Sequence, residues 1–271
     1  MSSLLPRSYL FVPANRPERF DKAAAAGADA VIIDLEDAVP PAEKTTARQS
    51  LAAWLSAAKP VLVRINGADS EWFADDLAIA ALPGVAGVVL PKAERAEDIA
   101  RCADRHSVVL PLIESAAGFA NLRALARQPH VQRLMFGSID FQVDLGMTCD
   151  EDELLMFHSQ LVLESRLAGL ASPVDGVTTA LDNIELLLAD TRRARRRGFG
   201  GKLCIHPRQI EAVHRGFSPS ADEIAWARRV VEAAAQVQGA AATVDGKMID
   251  KPVILKAQSI LDRSAKGMAG Q

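Results

Sequence analysis

The chain has 271 residues, of which 49% are hydrophobic and 24% charged, a composition typical of a soluble globular protein with a sizeable core. Its formal net charge of -3 argues against nucleic acid or an anionic membrane surface as a partner. No apolar run approaches the roughly 18 residues of a membrane helix, and the N-terminus lacks a signal-peptide pattern. The three scattered cysteines fit reduced thiols, so we expect a cytoplasmic protein.

Eight short apolar runs alternate with longer amphipathic segments over the first 207 residues. Runs of this kind, rich in Val, Leu and Ile and followed by a polar residue, are typical of strands buried on both faces of a parallel sheet. Eight strand–helix units favour an α/β fold, a (β/α)₈ TIM barrel, over an open doubly wound sheet, since no G-x-G-x-x-G or P-loop motif is present. The predicted strands are 9–14, 30–37, 60–66, 87–92, 108–114, 133–140, 173–179 and 201–207.

The chain continues beyond the eighth strand further than barrel closure needs. A helix over about 221–238 is followed by the Gly- and Ala-rich stretch GAAATVDGKMID and the amphipathic segment PVILKAQSILDR. We therefore predict a barrel over 1–216 and a C-terminal helical extension over 217–271. The extension could pack on a neighbouring subunit.

Two consecutive predicted strands each end on a carboxylate, Glu114 and Asp140. Parallel strands separated by one helix usually lie side by side, with their C-terminal ends at the edge where barrel enzymes keep their chemistry. Two oxygen ligands there, with open positions for substrate and water, suit Mg²⁺. The structural alternative is that each carboxylate caps the helix after it.

Other strand ends also carry polar side chains. Arg64, in the sequence LVRIN, could hold a substrate carboxylate or a developing oxyanion beside the cation, or could form a salt bridge to Glu36 or Asp37. Adjacent strand residues face opposite ways, so Asp34, Glu36 and Asp37 cannot all enter one pocket. The further candidates at strand ends are Asn66, Lys92, Asp175 and His206.

The arginine-rich run TRRARRRGFGGK invites a nucleic-acid interpretation. It falls at the predicted end of a helix, where arginine is favoured by the helix dipole and Gly198 ends the helix. We therefore expect a solvated helix end and no nucleic-acid partner.

Six segments resemble, in the same order, those of the citrate lyase β-subunit-like proteins. They are LFVPANRPERFDKAAAAGADAVIIDLEDAV, VRING, GVVLPKAE, PLIESAAGFAN, LMFGSIDFQVDLG and GKLCIHPRQI. These proteins belong to the Mg²⁺-dependent HpcH/HpaI aldolase superfamily, which also holds malyl-CoA and citramalyl-CoA lyases. The resemblance covers the chain from about Arg7 to Leu261 and implies a TIM barrel that assembles as a trimer or hexamer.

The resemblance also implies residue roles. Glu114 and Asp140 fall on the metal ligands, with Glu114 also lying against the substrate, and Arg64 falls on the substrate-binding arginine. Arg16 and Lys92 lie in segments that border the CoA site. The implied cofactor is Mg²⁺ and the implied partner is an acyl-CoA substrate.

The C-terminal part resembles the stand-alone CoA lyases more than the β subunit of the citrate lyase complex, which typically has an asparagine within the segment that reads IHP here. In the stand-alone lyases an aspartate of the tail reaches a neighbouring subunit's active site, and Asp250 occupies the matching place. The structural alternative is a helix cap, with Pro252 in the first turn.

We therefore predict a Mg²⁺-dependent carbon–carbon lyase that cleaves a 3-hydroxyacyl-CoA thioester. The expected reaction converts (3S)-citramalyl-CoA to acetyl-CoA and pyruvate, or malyl-CoA to acetyl-CoA and glyoxylate. The alternatives are a citrate lyase β subunit acting on a citryl thioester of a carrier protein, and an aldolase of free 2-oxo acids. Pyruvate and glyoxylate differ by one methyl group, which a pocket distinguishes by only about 1–3 kcal/mol.

Overall fold

The computed structural model describes residues 5–148, 152–236 and 242–268. Eight parallel strands pair in chain order, and the last pairs with the first to close a barrel. The predicted TIM barrel is therefore confirmed. The strands are β1 (Ser8–Pro13), β2 (Ala30–Asp34), β3 (Val61–Arg64), β4 (Val85–Leu90), β5 (Val109–Ile113), β6 (Met135–Phe136), β7 (Val174–Asp175) and β8 (Gly201–Cys204).

Helices connect successive strands on the outside of the barrel. Short 3₁₀ turns at Pro17–Arg19, Pro41–Glu43 and Pro207–Gln209 precede three of the helices, each with proline at its first position, where the missing N–H costs nothing. The helices of this part are α1 (Phe20–Ala24), α2 (Lys44–Trp54), α3 (Phe73–Ala80), α4 (Ala96–Ala103), α5 (Ala116–Ala120), α6 (Leu122–Ala126), α7 (Ser138–Asp144), α8 (Leu155–Leu167), α9 (Ile184–Arg197) and α10 (Ile210–Phe217).

The barrel interior is filled by apolar side chains from alternate positions of the strands, because successive strand residues face opposite sides. All eight strands contribute. The buried members of this interior cluster are Tyr9, Ile32, Leu62, Val89, Leu110, Leu112, Met135, Val174 and Leu203.

The sixth strand is much shorter than the sequence predicts. Strand pairing ends at Phe136, after which the Gly137 amide donates to the carbonyl of Ile113 and the Phe141 amide bonds back to Gly137. The chain therefore turns directly into α7, and Asp140 lies in the first turn of that helix. The prediction that Asp140 ends a strand was wrong.

The chain divides into two compact units, the barrel at Leu5–His214 and a C-terminal unit from Arg215 onward. The C-terminal unit contains α11 (Ala221–Gln236), the strands β9 (Ala242–Val244) and β10 (Lys247–Ile249), and α12 (Lys251–Met268). The two strands form an antiparallel hairpin, so part of the predicted loop is a sheet. Its turn residues Asp245 and Gly246 both have positive φ, as a two-residue type I′ turn requires.

The C-terminal unit has a core of its own. Val244 and Ile249 from the hairpin pack with buried residues of α11 and α12 such as Val230, Ala257 and Ile260. In the part of the chain that the structure describes, no helix combines the length and apolarity needed to cross a membrane. Of the three cysteines, Cys102 and Cys204 are buried free thiols, and Cys149 lies outside the described residues.

Candidate active site

Polar side chains gather at the C-terminal ends of β2 to β5. Asp34 and Arg64 are the last residues of β2 and β3, Lys92 follows β4, and Glu114 follows β5. Glu36, two residues beyond β2, contacts both cations of this group. The structure therefore brings together three residues predicted from the sequence, Arg64, Lys92 and Glu114.

The Arg64 guanidinium lies between two carboxylates. Its Nε and Nη2 donate to Asp34 at 2.7 and 2.6 Å, and its Nη1 lies 3.0 Å from Oε2 of Glu36. Its plane lies over the Phe11 ring, 4.8 Å from the centroid. A guanidinium carries five N–H groups, and two of them, on Nε and Nη2, are donated to Asp34. The salt bridge to Glu36, which the sequence offered as one of two roles for Arg64, is confirmed, and the substrate-binding role stays a prediction.

Glu36 is buried and held from behind by main-chain contacts. The ammonium of Lys44 donates to the carbonyls of Leu35 and Glu36 at 2.8 and 2.9 Å. The side-chain amide of Asn66 donates to the carbonyl of Leu35 at 2.9 Å and to the carboxylate of Asp76 at 2.6 Å. Burial raises the pKa of Glu36, against the opposing effect of the neighbouring cations. These bonds hold the main chain at Glu36, while Arg64 and Lys92 contact its carboxylate.

Lys92 contacts two carboxyl groups of the site, those of Glu36 and Glu114. Its ammonium donates to Oε1 of Glu36 at 2.9 Å, and its main-chain N–H donates to Oε1 of Glu114 at 2.7 Å. The side chain remains 55% exposed, so it can also meet a ligand from solvent.

Among the carboxyl groups of the rim, Glu114 has the pKa that is raised most clearly. Its burial, followed by repulsion from Glu36 and Asp140, raises the pKa of Glu114 to about 8. Gly137 leaves the space for it: a Cβ on that residue would lie 2.5 Å from Oε2 of Glu114. The carboxylate is thus confined between Gly137 and the Lys92 amide.

Asp140 projects from the first turn of α7 and is exposed. Its negative charge is close enough to Glu114 to raise the pKa of that group. The two carboxylates that the sequence pairs are therefore electrostatically coupled, although Asp140 reaches the rim from a helix.

A cleft of about 680 Å³ opens beside these residues. It is formed by the segments after β2, β3 and β4, and Asp37, which is exposed, lines it. Trp72 offers an aromatic wall, and Lys92 and Arg95 offer cationic groups. The cleft is large enough for part of an extended substrate.

Asp175 and His206, also predicted at strand ends, make structural contacts. Asp175 was predicted at the rim, and that prediction was wrong: it accepts from Lys202 at 2.7 Å and lies 3.6 Å from His158, between the strands and α8. The reason is strand alternation, since its neighbour Val174 faces the interior. His206 is structural, because its Nδ1 accepts the Arg208 amide and caps a 3₁₀ turn.

Arg16 and Asp250, two further residues predicted from the sequence, lie in other parts of the chain. Arg16 follows β1 with its side chain exposed. Asp250 lies in the C-terminal unit, where its Oδ1 accepts the Val253 amide at 3.3 Å at the start of α12. The helix-cap interpretation of Asp250 is therefore confirmed, and its carboxylate remains exposed.

The rim fits a hard divalent cation. Carboxylates outnumber cations at the strand ends, and the excess negative charge contributes to the raised pKa of Glu114. No three His, Cys, Asp or Glu side chains form a closed metal cage within the described residues. One or two carboxylates with open positions is the way proteins usually hold Mg²⁺. The charged residues of the rim are Asp34, Glu36, Glu114, Asp140, Arg64 and Lys92.

The sequence left open which acids of the DLED segment face the site. Asp34 and Glu36 do, because they are two residues apart on the same side, while Leu35 between them is buried. The spacing contained this signal, but the bidentate pairing of Asp34 with Arg64 needed the register of β2 and β3.

A TIM barrel with a carboxylate pair and an arginine at its C-terminal rim defines a class of metal-assisted barrel enzymes. The model of the HpcH/HpaI aldolase/citrate lyase family matches residues 7–207. The chain belongs to this family.

The chain matches its relatives over nearly their whole length. The chain is 39% identical over 280 residues to a citrate lyase subunit beta-like protein of Deinococcus radiodurans, covering 96% of this chain and 98% of the relative. It is 36% identical over 273 residues to a (3S)-malyl-CoA thioesterase of Cereibacter sphaeroides, with 95% and 94% covered. A crystal structure of CitE from Mycobacterium tuberculosis, in complex with magnesium, acetoacetate and coenzyme A, matches with a TM-score of 0.87 and 36% identity, covering 96% of this chain and 98% of that one.

Proposed function

We propose that this protein is a Mg²⁺-dependent carbon–carbon lyase of a 3-hydroxyacyl-CoA thioester. It would convert (3S)-citramalyl-CoA to acetyl-CoA and pyruvate, or malyl-CoA to acetyl-CoA and glyoxylate. The observation that carries the proposal is the buried Glu114 carboxyl, coupled to Asp140 and placed on the same rim as Arg64. The magnesium, acetoacetate and coenzyme A bound to CitE of Mycobacterium tuberculosis support it.

Glu114 and Asp140 would hold the metal in this proposal. Bound there, Mg²⁺ would act as a Lewis acid on the hydroxyl and carboxylate oxygens of the substrate. The Lys92 amide restrains one oxygen of Glu114, Oε1. Deprotonation of its carboxyl, whose pKa of about 8 reflects burial and neighbouring negative charge, accompanies cation binding.

Arg64 would bind and stabilise negative charge on the reacting groups. The carbon–carbon bond between the hydroxyl-bearing carbon and the methylene carbon breaks. The hydroxyl loses its proton and becomes the carbonyl of the 2-oxo acid, and the electron pair passes to the thioester as an enolate. The positive charge of Arg64, and the N–H groups that it does not donate to Asp34, suit such an anion.

Asp250 would give a proton to the enolate carbon, which yields acetyl-CoA, and would remove it in the condensing direction. It would do so in a neighbouring subunit's site, as in the stand-alone CoA lyases that the C-terminal part of the sequence resembles. We propose a homo-oligomer, a trimer or hexamer, in which the extension over 217–271 packs on the next subunit.

Exposed apolar side chains support association between copies. They follow β6, β7 and β8 at the end of the barrel that carries the site. Large apolar side chains exposed at this end could be covered by another copy of the chain. The residues are Ile139, Val143, Leu155, Met156, Leu181, Leu186 and Ile205.

Arg16 and Lys92 would contact the CoA part of the substrate. Both are exposed cations that follow barrel strands, Arg16 after β1 and Lys92 after β4, and cations suit the phosphates of CoA. The buried free thiols Cys102 and Cys204 support a reducing, cytoplasmic compartment.

The metal requirement tests the proposal. We expect release of 2-oxo acid from citramalyl-CoA or malyl-CoA to stop in EDTA and to return with Mg²⁺. Glu114→Gln and Asp140→Asn should each lower kcat/KM at least about 100-fold, since each removes a ligand charge beside the reacting oxygens. Asp104→Asn, which removes an exposed acid directly after α4 and away from the rim, serves as the matched control for loss of one acid. Undiminished activity in EDTA would contradict the proposal.

A further inference from the structure

Lys92 has a backbone conformation that non-glycine residues rarely adopt. Its φ is +46°, in the left-handed region where a Cβ crowds the main chain. Two other non-glycine residues of the described chain share this sign, His130 and Asp245. Neither belongs to the cluster at the rim, and Asp245 lies in a hairpin turn. Strain of this type persists only where the surroundings impose it.

The chain on both sides of Lys92 is fixed. The preceding strand β4 ends at Leu90, and the Ala93 amide donates to the carbonyl of Leu112 on β5 at 3.2 Å. The Ala93 carbonyl lies so close to Gly118 that a Cβ there would approach it to 2.6 Å. Two residues lie between these anchors, and because the ring of Pro91 fixes its φ at a negative value, the left-handed turn falls on Lys92.

The left-handed turn aims the Lys92 amide at the site. That N–H donates to Oε1 of Glu114 at 2.7 Å, while the same residue's ammonium donates to Oε1 of Glu36 at 2.9 Å. Glu36 is itself fixed, because Lys44 holds its main chain. The side-chain contact thus ties the turn to a rigid part of the rim.

We propose that Lys92 positions Glu114 through the main-chain N–H of Lys92. The contact of the Lys92 ammonium with Glu36 maintains the left-handed turn. The amide fixes the Glu114 carboxylate in the orientation in which it would receive a divalent cation. This inference rests on the proposed function in assigning that cation to Glu114. It gives Lys92 a role besides its contact with CoA.

Glycine and alanine separate the two parts of this role. Both Lys92→Gly and Lys92→Ala remove the ammonium, so any contact of that group with CoA or Glu36 is lost equally. Glycine adopts positive φ without a steric cost, whereas alanine is strained there. If the amide is what matters, glycine keeps it on Glu114 and alanine releases it.

The first measurement is Mg²⁺ binding by titration calorimetry to the full-length wild-type, Lys92→Gly and Lys92→Ala proteins. We expect the glycine variant to bind within about twofold of the wild type. The alanine variant should bind about tenfold more weakly, as the loss of one hydrogen bond to a charged group implies. Thermal unfolding of each variant establishes that it is folded. Equal weakening of both variants would overturn the proposal, as would unchanged binding by the alanine variant.

The second measurement needs no metal. Hydrogen–deuterium exchange at the amide of residue 92 should be slow in the wild type and in Lys92→Gly, and at least about tenfold faster in Lys92→Ala and in Glu114→Ala, which removes the acceptor. If the wild type binds no Mg²⁺, the proposed metal chemistry fails while this exchange pattern still decides the positioning role. Fast exchange in the glycine variant would overturn that role whatever the metal does.

Discussion

His158, a buried residue of α8, makes the stability of the barrel depend on pH. Its Nδ1 lies 2.8 Å from Nη1 of Arg197, which can only donate, so Nδ1 must be the unprotonated acceptor. The ring lies between Phe136 and Phe199 at centroid distances of 5.3 and 4.9 Å. Burial, which outweighs attraction to Asp175, lowers the pKa of His158 to about 4.

This burial predicts an acid-sensitive fold. Between pH 6.5 and about 4 the unfolded chain binds a proton at residue 158 that the folded protein does not. Stability is therefore present above pH 6.5 and is lost as pH falls toward 4, by about 3 kcal/mol for a shift of this size.

Urea unfolding at pH 7 and at pH 4.5 checks this, with His158→Asn as the matched variant. Asparagine keeps an acceptor for Arg197 but does not titrate, so the wild type should lose more free energy of unfolding over this interval than the variant. Parallel losses in the two proteins would show that His158 does not titrate on unfolding in the manner described.

Residue-level prediction succeeded where chemistry alone restricts the choice. Arg64, Lys92 and Glu114 could be selected because charged groups directly after apolar strands have few other roles, and the structure brings them together. Asp175 satisfied the same criterion and yet faces the helices. With β7 only two residues long, the sequence could not show which side of the sheet Asp175 would take.

At the scale of the elements, Asp250 stands at the start of α12 in the C-terminal unit. Capping uses one oxygen of Asp250 at 3.3 Å and leaves the carboxylate exposed, so the cap and the proposed catalytic role are compatible. The predicted loop before it contains a hairpin, since the sequence ATVDGKMI pairs across its Asp-Gly turn. That signal was present and was outweighed by the Gly and Ala content nearby.

Subunit mixing tests whether Asp250 acts across an interface. Asp250→Ala and Glu114→Ala should each be inactive alone. After they are unfolded together and reassembled in equal amounts, about a quarter of the sites should combine an intact barrel with an intact tail, as random assembly of a closed oligomer requires. Each variant refolded by itself is the control. No recovery in verified mixed oligomers would mean that Asp250 serves its own barrel or has only its capping role.

At the scale of the whole molecule, the barrel could be predicted because eight apolar runs alternate with helical segments and each strand can be recognised locally. Contacts between distant segments could not. Arg133, fully buried, donates to the carbonyls of Pro6 and Ser172, both at 2.7 Å. The residues next to Arg133 in the sequence do not indicate that Pro6 and Ser172 are its partners. The rim was predictable as a list of strand ends, but its hydrogen-bond network depended on register.

The central claim is carbon–carbon cleavage, and identification of the products tests it most directly. The purified protein with Mg²⁺ in D₂O would be given (3S)-citramalyl-CoA, malyl-CoA and citryl-CoA, and the products followed by mass spectrometry. A lyase that passes through an enolate should release equal amounts of 2-oxo acid and acetyl-CoA, the latter with one deuterium in its acetyl group, from citramalyl-CoA or malyl-CoA. Release of free CoA and an intact hydroxy acid, without acetyl-CoA, would contradict the account and indicate a thioesterase like the relative in Cereibacter sphaeroides.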